Sequence, residues 1–580
     1  MSALLLGAVP AEPGSAAGIR LRGATVVGPL DLTGGTAVQP LVCEGCAFDT
    51  ELSFVDGSVQ TIRILDSDVP GLDGTRLRLD GILDLTGSRI AGCVRLEYAK
   101  VGGQLRMRAA RAGAGSKAVL ATGLSVEGDV DCSRLEAHGE VTFRAATVAG
   151  TLDLTRARIA SPGGRGLVIS YATIGGKLEC RELAVEGETR ANNCRIAAHV
   201  SMSGARLDNP AGVAFFAGGL HVGGGAFFTG SSAKGEFRLI GAHLAANLTL
   251  DGGTFDNPGG MAVNLQGAVV RAVHGDGLTC HGQWSMIGAT INGDVSLTRA
   301  VLESGEGTCA LNAERTQIDG TLVLREAKAL GEVSLRSIRV GERLLLAGAE
   351  LRNPLGVALD AAGLQAQELL LEPAAPVAGG VDFRHATIGV LHDDPTAWPD
   401  RLYLDGLTYQ ALYPRLPAGR RLSWLARDPG GHQPQPYEQL AAHYTAIGQP
   451  GQARDVLYAR ERIQRQGKGH VSRTWSLLQD ITVGYGYRPR RALGWLALLL
   501  TAGSIVFSVA PPPVLTAGSA PHFNGVIYTL DLMLPVVNLG QKYAFNPGGP
   551  EQWLSYFLIA AGWTLATTVA AGLARVLRRG

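Results

Sequence analysis

Apolar and polar residues alternate in short runs over the first two thirds of the chain, as in Gly150-Thr-Leu-Asp-Leu-Thr155 and Ala246-Asn-Leu-Thr-Leu-Asp251. Alternation of this kind between turn residues predicts short strands with one buried face. The runs recur at a fixed interval. Pro162, Pro210 and Pro258 stand 48 residues apart, and Pro354 follows at twice that step with Glu306 in the skipped place. Gly139-Glu140, Gly187-Glu188, Gly235-Glu236 and Gly331-Glu332 keep the same spacing, as do Gly128, Gly176, Gly224 and Gly320. Five units therefore run in register from Ala114 to Asn353, residues 114–353; the fourth slips by one residue at Gly282 and recovers before Glu306. Inside each unit, Val126 and Val148, Ile174 and Ile196, Val222 and Leu244, and Ile318 and Val340 lie 22 residues apart. Each unit thus reads as two coils of 22 and 26 residues, the longer carrying an outward loop of the ASPGG, DNPAG, DNPGG or RNPLG kind.

Coils of this sort stack as parallel strands, and no coil is stable alone. Helical repeats of 48 residues would need apolar positions three and four apart, which these segments lack. The fold class expected is mainly β: a right-handed parallel β-solenoid over residues 1–395, followed by a helical hairpin and two transmembrane helices. Looser copies of the motif at Ala24-Thr-Val-Val-Gly-Pro-Leu-Asp-Leu-Thr33 and Gly81-Ile-Leu-Asp-Leu-Thr86 carry its start back to about residue 18.

The pattern fades near Val381-Asp-Phe-Arg-His-Ala-Thr-Ile-Gly389, and residues 396–432 read as an aromatic cap and linker. Over 433–470, Leu440, Ala441, Tyr444 and Ile447 and then Ala453, Val456, Leu457 and Ile463 take helical spacing on either side of Gly448-Gln-Pro-Gly451, predicting a single tetratricopeptide-like hairpin. A basic segment, 471–491, leads into an apolar run at 492–509 that would span about 27 Å as a helix. A second run, within 553–574, is followed by a short tail at 575–580 containing Arg575, Arg578 and Arg579. The connector 510–552 has Lys542 as its one lysine or arginine. This asymmetry predicts a two-pass protein of the cell membrane with both termini, and the solenoid, in the cytoplasm. The first fourteen residues lack a basic n-region and make a poor secretory signal.

Glycine, at 79 of 580 residues, and aromatics at 6% fit a chain that turns often around a narrow aliphatic interior. A net charge of +1 gives no electrostatic case for nucleic acid. Eight cysteines spread through the solenoid suit a reducing compartment, and Cys132 and Cys180, 48 apart, read as stacked apolar filling.

Several motifs invite chemistry. Thr482-Val-Gly-Tyr-Gly486 spells a potassium-selectivity filter, but the residues before Val471 are too polar to supply the first span a filter needs. Gly113-Ala-Gly-Ser-Lys-Ala118 fits a dinucleotide fingerprint, yet it sits in the register of the loops and no long helix follows. Cys43-Glu-Gly-Cys46 is a lone pair without a second pair or histidine, and none of the twelve histidines has ligand spacing, so no metal and no cofactor is expected. Glu140, Glu188, Glu236 and Glu332 align as a ladder, read as solvated rather than catalytic. Within the connector, the apolar run 523–540 is interrupted by Asp531, Pro535 and Asn538, which suggests a re-entrant helix and makes these three the candidate site for a pore or sensor. An amphipathic helix on the outer face is the competing reading.

The Gly-Ala-x-Ile/Leu-x-Gly coils, together with Pro434-Gln-Pro-Tyr-Glu-Gln-Leu-Ala441, Gly484-Tyr-Gly-Tyr-Arg-Pro489 and Tyr528-Thr-Leu-Asp-Leu-Met-Leu-Pro-Val-Val-Asn-Leu-Gly540, resemble bacterial pentapeptide-like solenoid proteins of actinobacterial type. The resemblance covers essentially the whole chain and implies its architecture. Proteins that look like this are often labelled membrane-associated oxidoreductases, but the chain has no flavin, nicotinamide, haem or iron–sulfur motif. The expected function is a membrane-anchored scaffold without a catalytic site, its partners the lipid bilayer and an unidentified cytoplasmic protein; the alternatives are an oxidoreductase and an oligomeric two-span channel.

Overall fold

The computed structural model describes residues 2–6, 18–37, 39–113, 115–431, 433–464, 489–515, 518, 521–534 and 536–577. The chain forms two compact units, Met1–Arg415 and Leu416–Gly580. The first is a parallel β-solenoid of about 18 turns. One coil, from Arg78 to Lys100, shows how it is made. Strands Arg78–Leu79 and Leu83–Asp84 belong to one sheet, Arg89–Ile90 and Val94–Arg95 to the other, and Lys100–Val101 then pairs in parallel with Arg78–Leu79. The two sheets hold 31 and 24 such strands, so each coil gives two short faces to each sheet.

The elementary step is half a coil. Buried side chains run Leu77, Leu79, Leu83, Leu85, then Ser88, Ile90, Val94, Leu96, then Ala99, Val101, Leu105, Met107, which is one pattern repeated every 11 residues. Each half-coil ends in a turn whose third residue is left-handed, as at Arg76 (φ 58°), Gly87 (φ 71°), Tyr98 (φ 58°) and Ala109 (φ 52°). The turn closes on a backbone hydrogen bond, for example Leu77 N to Gly74 O at 3.1 Å and Ala99 N to Leu96 O at 3.2 Å. Every described non-glycine residue with positive φ, from Asp56 to His385, sits at such a corner except Asp66, where Ser67 N donates to Ser88 Oγ instead. A side chain there costs roughly 1–2 kcal/mol, and inter-coil hydrogen bonding holds the backbone in place nonetheless. A 22-residue spacing is therefore two equal steps, while a 48-residue unit is four such steps with one enlarged by an outward loop.

The loops lie within the long strands Arg158–Val168, Arg206–Phe216, Thr254–Asn264 and Glu350–Asp360. In the last three, Nδ2 of Asn209, Asn257 and Asn353 donates to the carbonyl of Val213, Met261 and Val357, each at 2.8 Å. The loop around Glu306 lacks this asparagine, and Gly307 N donates instead to Oδ1 of Asn353, 2.9 Å away in a later coil. Beneath the loops the intervening coils pass at Gly187, Gly235, Gly282 and Gly331, with φ between 103° and 125°. The one-residue slip is visible too: corners Gly267 and Gly277 are ten residues apart. In the shortened step Gly275 occupies an interior place filled by Leu250 and Leu297 in the adjoining coils, and the fully buried Trp284 reaches to 3.4 Å from where a Cβ on Gly275 would stand.

The solenoid's first coil is covered by a short helix, α1 (Ser2–Leu5), whose Leu5 is buried and whose Ser2 Oγ accepts from Asp31 N at 3.3 Å. At the other end strands continue through Leu402–Tyr403 and Thr408–Tyr413, so residues 402–413, within the expected cap and linker, add a further coil.

In the second unit, α2 (Ala418–Leu425) precedes the hairpin α3 (Pro434–Ala446) and α4 (Pro450–Gln464). Gly448, at φ 76°, ends α3 in the left-handed conformation that helix C-termini favour. The two helices pack together; of the positions expected from spacing, Leu440, Ala441, Tyr444, Ala453 and Val456 are buried and Ile447, Leu457 and Ile463 half-buried, and Tyr437 and Tyr458 are buried as well. Helix α5 (Pro489–Val509), the short α6 (Gly525–Met533) and α7 (Pro550–Leu577) pack together. Among the described residues one helix segment, Ala492–Val509, is long and apolar enough to cross a membrane, and only 17% of it is buried in protein. Residues 553–573, expected to form a second span, lie on α7.

Candidate interaction face

Strand register assembles a single column beneath the loops. Lys117 stands beside Glu140, Arg165 beside Glu188, Val213 beside Glu236, Met261 beside Gln283, and Cys309 beside Glu332. Every second rung is thus a glutamate or, at Gln283, its amide, and the loop-bearing coils supply cations at one end and apolar groups further on. The expectation of a solvated ladder needs correction. Glu140 and Glu236 are 9% exposed, and Glu188 and Glu332 are half-buried.

Three of the four carboxylates have a cation beside them. Lys117 Nζ lies 2.6 Å from Glu140, and Arg190 Nε 2.8 Å from Glu188. Arg238 pairs with Glu236, which also accepts from Asn264 Nδ2 at 2.9 Å. Arg190 and Arg238 approach the Phe216 ring, with guanidinium carbons 6.0 and 5.4 Å from its centroid. An open groove of about 570 Å³ runs along the N-terminal part of this edge, lined by Lys117, Glu140, Ser161, Arg165, Glu188 and Asn209 among others.

Two rungs of the column titrate in opposite directions. Burial pushes Glu236 up, but the hydrogen bonds from Arg238 and Asn264 outweigh it and hold the carboxyl below its ordinary value. Burial pushes Glu332 up as well, the Asp360 carboxylate adds to it, and Arg336 offsets this only in part, so Glu332 stays above the ordinary value. A lowered carboxyl stabilises the fold above its unfolded pKa and loses that contribution as pH falls through the folded one; a raised one does the reverse. At neutral pH, Glu236→Gln is therefore expected to lower the thermal midpoint and Glu332→Gln to raise it, and acidification should shrink both differences. Melting curves at pH 7.5 and 4.5 check this, and equal effects of the two substitutions would contradict it.

The other motifs resolve into structure. Gly113 takes φ 89° and is followed within a few residues by the strand Lys117–Leu120 rather than a helix, so the fingerprint-like glycines are loop corners. All eight cysteines are free thiols. Burial pushes Cys43, Cys194 and Cys280 up to about 12 and Cys309 up to about 11, which disfavours the thiolate that nucleophilic or redox chemistry needs. Cys132 and Cys180 are fully buried and raised by the same cause. Among the described residues no group of three or more histidine, cysteine, aspartate or glutamate side chains is arranged to hold a metal ion. Thr482-Val-Gly-Tyr-Gly486 and Pro535 lie outside the described residues.

Asp531 and Asn538 are separated in role. Asp531 is fully buried at the end of α6, where its carboxylate accepts the backbone N–H groups of Leu539 (2.8 Å), Gln541 (2.8 Å) and Lys542 (2.7 Å). Asn538 is exposed and accepts from Gly540 N at 2.9 Å. Asp531 therefore folds the connector back onto α6. Gln541 completes the arrangement, accepting from Asn524 N at 3.2 Å and donating to His522 O at 3.1 Å, while Asn524 Oδ1 caps α6 through Val526 N and Ile527 N. Small residues bring the helices close. A Cβ on Gly503 would stand 3.0 Å from Leu558, one on Gly525 3.0 Å from Ser504 O, and one on Gly562 2.6 Å from Met533 Cα. Gln541 and these glycines escaped the sequence reading, although glycines inside apolar helices are its usual sign of close helix packing.

Comparison with protein-family models, with curated proteins and with solved structures gives no match.

Proposed function

We propose that the chain is a two-pass, membrane-anchored scaffold whose solenoid faces the cytoplasm and presents its loop-bearing edge to a protein partner. The observation that carries the anchor is the apolar surface of helices α5, α6 and α7. Leu493, Leu498, Ile505 and Val509 on α5, Val526 on α6, and Trp553, Phe557 and Trp563 on α7 are all exposed. Exposed apolar side chains in this number on three packed helices call for lipid or protein around them, and Trp553 and Tyr556 near the start of α7 suit an interfacial belt. The scaffold reading rests on the solenoid itself, where three carboxylates of the loop edge are tied up in ion pairs and the outward loops recur every second coil, about 9.6 Å apart.

Two substitutions test the topology. A membrane-impermeant maleimide applied to intact cells is expected to label Asn546→Cys in the connector and to leave Leu355→Cys at a loop tip unmodified until the cells are opened. Labelling of both on intact cells would overturn the cytoplasmic placement. For the scaffold, a photo-crosslinker at Ala211 or Leu355 should give a discrete adduct that the same probe at Thr147, on the other sheet, does not give; equal adducts at all three sites would remove the case for the loop edge.

A further inference from the structure

We infer that His221 and His243 form a surface site for one first-row divalent transition-metal ion, such as nickel, copper or zinc. The two residues are register partners on adjacent coils of the larger sheet. Their rings stack with centroids 4.8 Å apart and planes 5° from parallel. Nδ1 of His221 lies 2.8 Å from the carbonyl of Gly219, and Nδ1 of His243 lies 3.0 Å from that of Gly241. A carbonyl oxygen only accepts, so both Nδ1 atoms donate. In the neutral rings this fixes the proton on Nδ1 and leaves the lone pair on Nε2.

An imidazole that ligates through one nitrogen and donates the other N–H to a backbone carbonyl is the usual arrangement around protein-bound metals, where that second bond orients the ring. Here that bond is made by both rings on neighbouring rungs, and it fixes the tautomer in which each Nε2 is free to ligate. Both histidines are exposed. The left-handed corners that supply the carbonyls, Gly219 at φ 63° and Gly241 at φ 61°, carry no side chain that could cover the rings. Metal–nitrogen bonds of about 2.0–2.1 Å lie close to each imidazole plane, so one ion joins both Nε2 atoms only after the parallel rings swing toward each other, a motion open to two exposed side chains. The rungs on either side are Arg195 and Val269, neither a ligand, so the ion takes two protein donors and keeps its other positions for water or for a donor brought by another molecule. Such a site is exchangeable and adds no constraint to the fold. It stands independently of the scaffold reading.

Titration calorimetry of the full-length, tag-free protein in detergent with nickel chloride tests the site. One ion per chain is expected, with affinity falling about tenfold or more in His221→Gln and equally in His243→Gln, and unchanged in His138→Gln, an exposed histidine elsewhere on the solenoid. Unchanged circular dichroism separates loss of binding from loss of fold. An absence of binding by the unsubstituted chain, binding that survives the double substitution, or loss confined to one of the two histidines would overturn the site.

Discussion

Replacing Gly235 by alanine is expected to destabilise the solenoid by about 3–5 kcal/mol. Gly235 takes φ 103°, outside the range that residues with a Cβ adopt readily, and its added methyl would lie within 2.6 Å of the Gly212 carbonyl and closer still to that of Asn209. Backbone strain of this kind costs about 1–3 kcal/mol, and forcing an extra methyl into packed structure about the same again. Both obstructing atoms are backbone, so no side chain can move aside. Because each coil contacts only its neighbours, the damage should remain local. Hydrogen exchange is expected to rise between Arg206 and Asn264 and to stay unchanged near Leu83 and Leu105. Alanine at Gly241, where an added Cβ meets nothing within 4 Å, is the control and should cost only the strain of its left-handed backbone. Equal effects at the two positions would show that the loops do not constrain the coil beneath them.

The second large effect is expected at Asp531. Alanine there removes the acceptor for three backbone N–H groups at once. With each unsatisfied buried donor costing about 1–3 kcal/mol, the loss amounts to roughly 3–9 kcal/mol less what water recovers at the part-buried Leu539 and Lys542. Asparagine keeps one acceptor oxygen and should lose less. Thermal unfolding in detergent, followed by helical circular dichroism, is expected to rank the proteins unsubstituted, Asp531→Asn, Asp531→Ala in falling stability. If both variants unfolded with the parent, the carboxylate would be free for the pore or sensor role that its position in an apolar connector suggests.

Strand alternation and the 48-residue interval were enough to reveal the solenoid, because burial on one face of a strand leaves a period of two and stacked coils must repeat. The 11-residue half-step was hidden. Its corners are occupied by residues as different as Arg76, Tyr98, Ala109 and Asn193, since the conformation is imposed by hydrogen bonds between coils rather than by the corner residue itself. The same non-local cause hid the state of the glutamate column. Glu236 is flanked by Val213 and Asn264 only after the chain has wound twice, and nothing near it in sequence except Arg238 tells of its burial. The hairpin α3–α4 was legible because its contacts are local. The connector was legible only as an anomaly: Asp531 stood out as a polar residue in an apolar run, while the three N–H groups that explain it belong to backbone and leave no trace in side-chain identity.

The equal half-steps also make the length of this molecule adjustable. Excising residues 209–256 would join Asp208 directly to Asn257, restore an Asp-Asn-Pro loop at the junction and leave every column above and below the cut in line. The solenoid would be shorter by two strand spacings, about 9.6 Å, with both ends unchanged. Duplication of the same segment would lengthen it by as much. A chain built this way can serve as a ruler whose graduations are whole coils, and an insertion of half that size would merely turn one sheet's outward residues toward the other side.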